Sequence, residues 1–442
     1  MTRILIMSAV LFATVLAHGT NSYGQTSQGD PSSQPVNPVI QWNRVLLTIV
    51  RTPGAQPATI HPTRSFAIMH LAIYDAVNSI EGTHSPYSIR LPGASPSASQ
   101  DAAASEAAYE VLINLYPQFQ ATLSDQLQQL LALLPDGADK AAGIAIGQSV
   151  ADAILTLRSN DGSDAQPGLF VPGNDPGDYQ STPPNFPTPQ FTHWSQVTPF
   201  GLDRADQFRP GPPPDLTSER YAGVFNQVKS LGVINSTTAT ADQQAIGRFW
   251  NGAIQNYWNE ITQTAALAHS LTTAQSARLF TLLNLSIADG VIAFYDAKYT
   301  YLFWRPVTAI RAADPAINPA TAPDPNWLPE NTNTAADPSY PGAHAVISAA
   351  GATTLTSFFD SDLFDYAATS ETVPGVTRSF TRFSAAEEEA SMSRIYAGQH
   401  FRSDQTAGQR LGRNVASFVF DHFLTPVQQD NALRTSRNKR IK

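Results

Sequence analysis

From Val39 onward, apolar residues recur every three to four positions through most of the chain, the spacing of helices that bury one face. The first half predicts helices over Ile40–Val50, Thr63–Ile80, Ala102–Leu115, Phe119–Leu134 and Asp139–Leu157. In the second of these, Phe66, Met69, His70, Ile73, Tyr74 and Val77 form a broad stripe. In the last, the small residues Ala141, Ala142, Gly143, Ala145 and Gly147 predict close helix packing. The period is lost over Pro167–Pro214, where prolines are dense and the aromatics Phe186, Phe191, Trp194 and Phe200 are scattered. A segment this long without regular structure is expected to be laid over a surface as ordered packing. Helical spacing resumes over Ser218–Leu231, Thr240–His269, Thr273–Phe303, His344–Phe359, Ala385–Tyr396 and His400–Phe423, and a short hairpin fits only at Tyr366–Phe380. The fold class is therefore all-α, with helical bundles over 39–165 and 216–425 joined by a Pro-rich connection at 166–215.

The ends read differently. Residues 1–24 set Arg3 before the apolar run Ile4–Leu16, with small-residue cleavage options near Ala17 or Gly24. That is the pattern of a secretory signal peptide, its run too short for a membrane span, and it predicts a soluble secreted or periplasmic protein. Residues 25–38 are polar and rich in Ser, Gln and Pro, as in a disordered arm. Residues 426–442 carry Arg434, Arg437, Lys439, Arg440 and Lys442, read as a solvated basic tail. A net charge of −9 with no basic face in the body argues against nucleic-acid binding. The 442 residues include no cysteine, which excludes disulfides, thiolate catalysis and Cys-ligated zinc or iron–sulfur centres.

Three clusters carry candidate chemistry. In the first, Lys298 and Arg305 stand seven apart among Tyr295, Tyr299, Tyr301, Phe303 and Trp304. The chain has only five lysines, so one set among aromatics calls for an anionic partner. Pro306 pushes Arg305 out of the helical region, so the helix should end near Trp304 with Arg305 in the turn. The alternative is two unrelated ion pairs, with Asp289 and Asp296 as the nearby carboxylates. In the second cluster, Pro341-Gly342-Ala343-His344 opens a helix, and free N–H groups at a helix start suit an anion. The amides of Gly342 and Ala343 are candidate donors, and His344 beside them could pass a proton to a leaving atom. In the third, Ser393-Arg394 precede a break at Gly398, after which His400 and Asp404 lie four apart, on one face of a helix expected to begin near His400. A carboxylate holding one ring nitrogen leaves the other free to attack or to ligate. Together the three clusters describe a cage for a tetrahedral or trigonal-bipyramidal oxyanion.

These residues resemble a known superfamily. Lys298 to Arg305-Pro306 fits K-x6-R-P, Pro341 to His344 stands where P-S-G-H is expected, and Ser393-Arg394, His400 and Asp404 fit S-R-x5-H-x3-D. Those are the motifs of the superfamily shared by vanadium-dependent haloperoxidases and type 2 phosphatidic acid phosphatases, and the likeness extends over most of residues 40–420. It implies a helical protein built around bundles. It also implies His400 as ligand of a vanadate cofactor, Lys298, Arg305 and Arg394 on its equatorial oxygens, and His344 as acid–base partner. The reaction implied is oxidation of halide, bromide foremost, by hydrogen peroxide. The alternatives are an exported acid phosphatase acting on a small phosphate ester through a phosphohistidine, and a non-catalytic oxyanion binder. Whether the chain forms a homodimer is left open. Two departures stand out. Gly342-Ala343 replace Ser-Gly, which should weaken anion binding by roughly 1.5–3 kcal/mol for the lost hydroxyl. Gly342→Ser should restore it if that position faces the anion. Asp337, seven before His344, sets a carboxylate where it would repel halide.

Overall fold

The computed structural model describes residues 37–55 and 61–427. The signal peptide expected at 1–24, residues 25–36 of the disordered arm expected at 25–38, and the basic residues of the tail lie outside the described residues, while Asn37 and Pro38 of that arm instead open the first helix.

The chain enters α1 (Pro38–Arg51) through Asn37, whose side chain accepts the N–H of Ile40, with proline at the first helical position. Next, α2 (His61–Glu81) buries almost its whole circumference. His70 within it is a core residue bonded to Asn43, and burial pushes it down to about 3. Around α2 pack α3 (Gln100–Leu115) and α5 (Ala138–Arg158), with α4 (Gln120–Ala132) largely exposed between them. The small-residue face of α5 does what its pattern predicts: a Cβ on Gly147 would lie 2.5 Å from the Ala103 carbonyl oxygen.

After the Pro-rich connection come α6 (Glu219–Leu231), α7 (Ala241–Phe249), α8 (Ile254–Ala268) and α9 (Thr273–Tyr301). The last is opened by a reciprocal capping pair, Thr272 and Gln275. It is long and apolar enough to cross a membrane, yet 94 % of its most apolar window is buried within the protein, against α2, α11 and α13. Then follow α10 (Pro306–Arg311), α11 (Ala343–Phe359), a hairpin of β1 (Leu363–Thr369) and β2 (Thr377–Arg382), α12 (Phe383–Tyr396) and α13 (Arg402–His422). The hairpin falls where it was expected, with Tyr366 opposite Phe380.

From Asn37 on the chain forms one compact unit, in which α9 of the second half packs on α2 of the first. Two expected helix bounds are corrected. The helix expected over Thr240–His269 is broken between Phe249 and Ile254. There Glu371, far along the chain, accepts the N–H of Ala253 at 2.6 Å and Asn256 Nδ2 at 3.2 Å, starting a new helix. The second is the start of α13, at Arg402 and not at His400.

The Pro-rich connection has one short 3-10 turn, Trp194–Gln196, and otherwise irregular backbone. It is pinned by Asp289 on α9, whose carboxylate accepts the N–H groups of Phe200, Gly201 and Leu202 at 2.6, 2.7 and 2.9 Å. The α11 and α13 helices pack closely through Gly408 and Gly412: a Cβ on Gly412 would lie 2.1 Å from the Val346 carbonyl oxygen. That contact sets the start of α11 beside the start of α13.

Candidate oxyanion site

The α9 helix ends at Leu302 in the left-handed conformation, and Arg305 is extended before Pro306, as the proline requires. Lys298, in the last turn, is fully buried. Its ammonium donates to Asp337 Oδ1 at 3.1 Å, to the Pro338 carbonyl and, at 3.5 Å, to the Ser339 carbonyl. Arg305 donates Nε–H to the Asp337 carbonyl at 2.8 Å, an NH2 hydrogen to Asp337 Oδ1, and NH1 hydrogens to the Gln399 carbonyl and His400 Nε2, both at 3.1 Å. The two cations thus share one carboxylate, that of Asp337. The ion pairs weighed with Asp289 and Asp296 do not form: Asp289 holds the backbone of the connection, and Asp296 pairs with Arg209. Burial alone would raise Asp337, but Lys298 and Arg305 outweigh it and hold the carboxyl below its usual range. Lys298, more deeply buried and sharing its partner, is lowered by burial to about 8, so both groups are charged at neutral pH.

The second cluster is disposed less simply. Gly342 caps α11, but its N–H donates to the Asp404 carbonyl at 3.0 Å, and a Cβ there would meet Gln405 Nε2 at 2.2 Å. Its amide is therefore spent within the fold, and the position faces α13. Ala343 and His344 do line the cavity described below. His344 Nε2 lies 3.0 Å from the Trp250 carbonyl, which only accepts, so this nitrogen carries the hydrogen. Burial, then Arg394, hold the imidazole well below its usual pKa and keep it neutral, with Nδ1 as its acceptor atom.

In the third cluster, Gly398 has φ +73° and ends the α12 segment. Arg394 donates NH1 to Asn251 Oδ1 at 2.9 Å, while its buried Nε–H has no acceptor. Ser393 instead donates to the Ala390 carbonyl at 2.6 Å. His400 lies two residues ahead of α13, so the spacing argument from a shared helix face does not apply. Its contact with Asp404 arises from capping: Asp404 Oδ2 accepts the Phe401 N–H at 3.0 Å and, from the same position, meets His400 Nδ1 at 3.2 Å. Burial, then the charges of Arg305, Lys298 and Arg394, hold His400 well below its usual pKa. A neutral ring with Nδ1–H toward Asp404 keeps its lone pair on Nε2, facing Arg305.

Two participants had no assigned role in the sequence. Ser339 is fully buried and donates to Asp404 Oδ2 at 2.6 Å. Asn251, in the break between α7 and α8, holds Arg394. An Asn-Gly pair inside a long helical pattern was the available signal for that break.

All five side chains, Lys298, Arg305, His344, Arg394 and His400, line one cavity of about 680 Å³. The Pro-rich connection supplies part of its wall, including Pro183, Pro184 and Gln190. The centre is cationic, and among the described residues no cluster of three His, Asp or Glu suits a bare metal ion. An unspent guanidinium donor beside a neutral imidazole lone pair suits a small oxyanion.

The chain is similar to several known proteins. Residues 278–429 match the family described as the VCPO second helical-bundle domain. The chain is 26 % identical to the vanadium chloroperoxidase of Curvularia inaequalis, over 86 % of this chain and 81 % of that protein. Among solved structures it is similar to one described as the first bacterial vanadium-dependent iodoperoxidase, with a TM-score of 0.75, 24 % identity and coverage of 90 % and 100 % of the two chains. It also resembles the holo form of a bacterial vanadium-dependent chloroperoxidase, with a TM-score of 0.66, 16 % identity and coverage of 88 % and 96 %.

Proposed function

We propose that this chain is a vanadium-dependent haloperoxidase, oxidising halide with hydrogen peroxide at a vanadate held by His400 Nε2. The observation that carries the reading is the convergence of three cations from α9, the following turn and α12 on the neutral face of His400, in one cavity. Vanadate is the group the relatives' names imply, and the residues present fit it: a His400 Nε2 lone pair that now accepts an Arg305 N–H and would be yielded to the ligand, an unpartnered Arg394 Nε–H and the charges of Lys298 and Arg305. When bound, it supplies a Lewis-acid centre that makes peroxide electrophilic toward halide.

The chain's own residues do the rest. Asp404 and Ser339 fix the His400 ring so that Nε2 stays an acceptor. Arg394, held by Asn251, offers positive charge to oxygens in the cavity. His344, with Nε2–H anchored on the Trp250 carbonyl, has Nδ1 to accept a proton from an incoming peroxide and return it to a departing oxygen. Bromide is the halide to examine first, with chloride and iodide beside it. The test is to load the purified protein with orthovanadate and assay peroxide-dependent halogenation of a dye beside hydrolysis of a phosphate ester. Halogenation without hydrolysis is expected. Hydrolysis that vanadate inhibits, without halogenation, would replace this reading by a phosphatase acting through His400. Anion binding with neither activity would leave a non-catalytic binder. Export, on the evidence of residues 1–24, belongs to the same proposal: the mature enzyme works outside the cytoplasm.

A further inference from the structure

A cage for an anion usually keeps its cations free to meet the ligand, and here two of the three are already engaged. Lys298 has three hydrogens to donate, and the segment Asp337–Ser339 takes them through one carboxylate oxygen and two carbonyls. Arg305 gives two of its five donors to the same residue, one to its carbonyl and one to its carboxylate. The Asp337 carboxylate is nearly buried, accepts a weak bond from Tyr295 at 3.4 Å, and borders the same cavity as His400 and Arg394. Of the three cations, Arg394 is the one with a whole buried nitrogen, Nε, that has no acceptor among the described residues.

We propose that Asp337 is a resident counter-anion of the cage, competing with the bound oxyanion for Lys298 and Arg305 and tilting the site toward singly charged over doubly charged tetrahedral oxyanions. This rests on reading the cavity as an oxyanion site. The shared bonding carries it: Lys298 and Arg305 both bond Asp337 Oδ1, so one carboxylate cancels one of their two charges and one positive charge of the pair is left for the ligand. A ligand with one negative charge neutralises that remainder, and a second negative charge meets the Asp337 carboxylate across the shared cations. Vanadate and phosphate exist in both charge states near neutral pH, so the same contacts select their more protonated form.

The test uses two tetrahedral anions of fixed charge, perrhenate (one) and tungstate (two), titrated calorimetrically at pH 7, where Lys298 is charged, into wild type, Asp337→Asn and Asp337→Ala, with folding checked by circular dichroism. The wild type should bind perrhenate at least as tightly as tungstate. Asp337→Asn should tighten perrhenate by about tenfold and tungstate by about the square of that gain, because the Coulomb interaction scales with ligand charge. Asp337→Ala should follow the same order. Equal gains for the two anions, or weaker binding of both, would overturn the proposal and make Asp337 a positioning residue for Lys298. A wild type that prefers tungstate would overturn it even if neither variant folds. Failure of every form to bind either anion would instead remove the oxyanion reading, and this inference with it.

Discussion

Ser339→Ala tests how the His400 ring is held. The Ser339 hydroxyl donates at 2.6 Å to Asp404 Oδ2, the oxygen that also faces His400 Nδ1. Burial pushes Asp404 up to about 6, and among the influences that oppose this the Ser339 bond stands first. A hydrogen bond to a charged group contributes about 1.5–3 kcal/mol. One pH unit corresponds to about 1.4 kcal/mol, so losing the hydroxyl should raise Asp404 by roughly one to two units. A carboxyl whose folded value stands above its unfolded one, near 3.8, destabilises the fold as it ionises. That penalty is absent below the unfolded value and complete above the folded one. The substitution should therefore cost about 1.5–3 kcal/mol at pH 8 and much less at pH 5, where Asp404 is protonated in both proteins. Urea unfolding of both proteins at the two pH values measures the difference. An equal loss at pH 5 and pH 8 would show that Ser339 does not act on the charge of Asp404.

Three further outcomes are expected. His400→Ala should abolish both halogenation and vanadate binding, whereas His344→Ala should lose most turnover and keep part of the binding, read by activity assay and calorimetry in parallel. Gly342→Ser should not tighten vanadate binding, contrary to the expectation from motif comparison, because the new Cβ meets Gln405. The melting temperature should change little, because the group met is the end of the flexible Gln405 side chain, which can swing aside. Gly412→Ala should destabilise by at least about 1–3 kcal/mol through collision with the Val346 carbonyl, and a melting temperature equal to wild type would mean that α11 and α13 separate easily.

What the sequence made legible was local. The helices of both halves follow from apolar spacing, and their ends fall within a few residues of those expected. Pro306 places Arg305 outside a helix, and the cations do share a carboxylate. What stayed hidden depends on contacts between distant segments. Asp337 reaches Lys298 and Arg305 from an irregular loop more than thirty residues away, and no period marks it. The break before α8 is made by Glu371 from the hairpin, so the pattern over 240–269 reads as continuous. His400 meets Asp404 through a cap at the head of α13 rather than along a helix face, yet the four-residue spacing is the same for both. The Gly342 amide, free by position, is taken by Asp404 because α13 lies against α11.

The composition of the cavity wall has a chemical consequence. Electrophilic halogen attacks thiols, thioethers, indoles and phenolates fastest, and the wall contains no cysteine, methionine or tryptophan side chain. It is built largely of proline, alanine, threonine, asparagine and glutamine, and its one phenol, Tyr295, is held neutral by burial and by Asp337. If the proposed reaction holds, hypohalous acid leaving the centre would meet the imidazoles of His344 and His400 and the Lys298 amine at the site itself, and beyond them a wall with few groups to consume it.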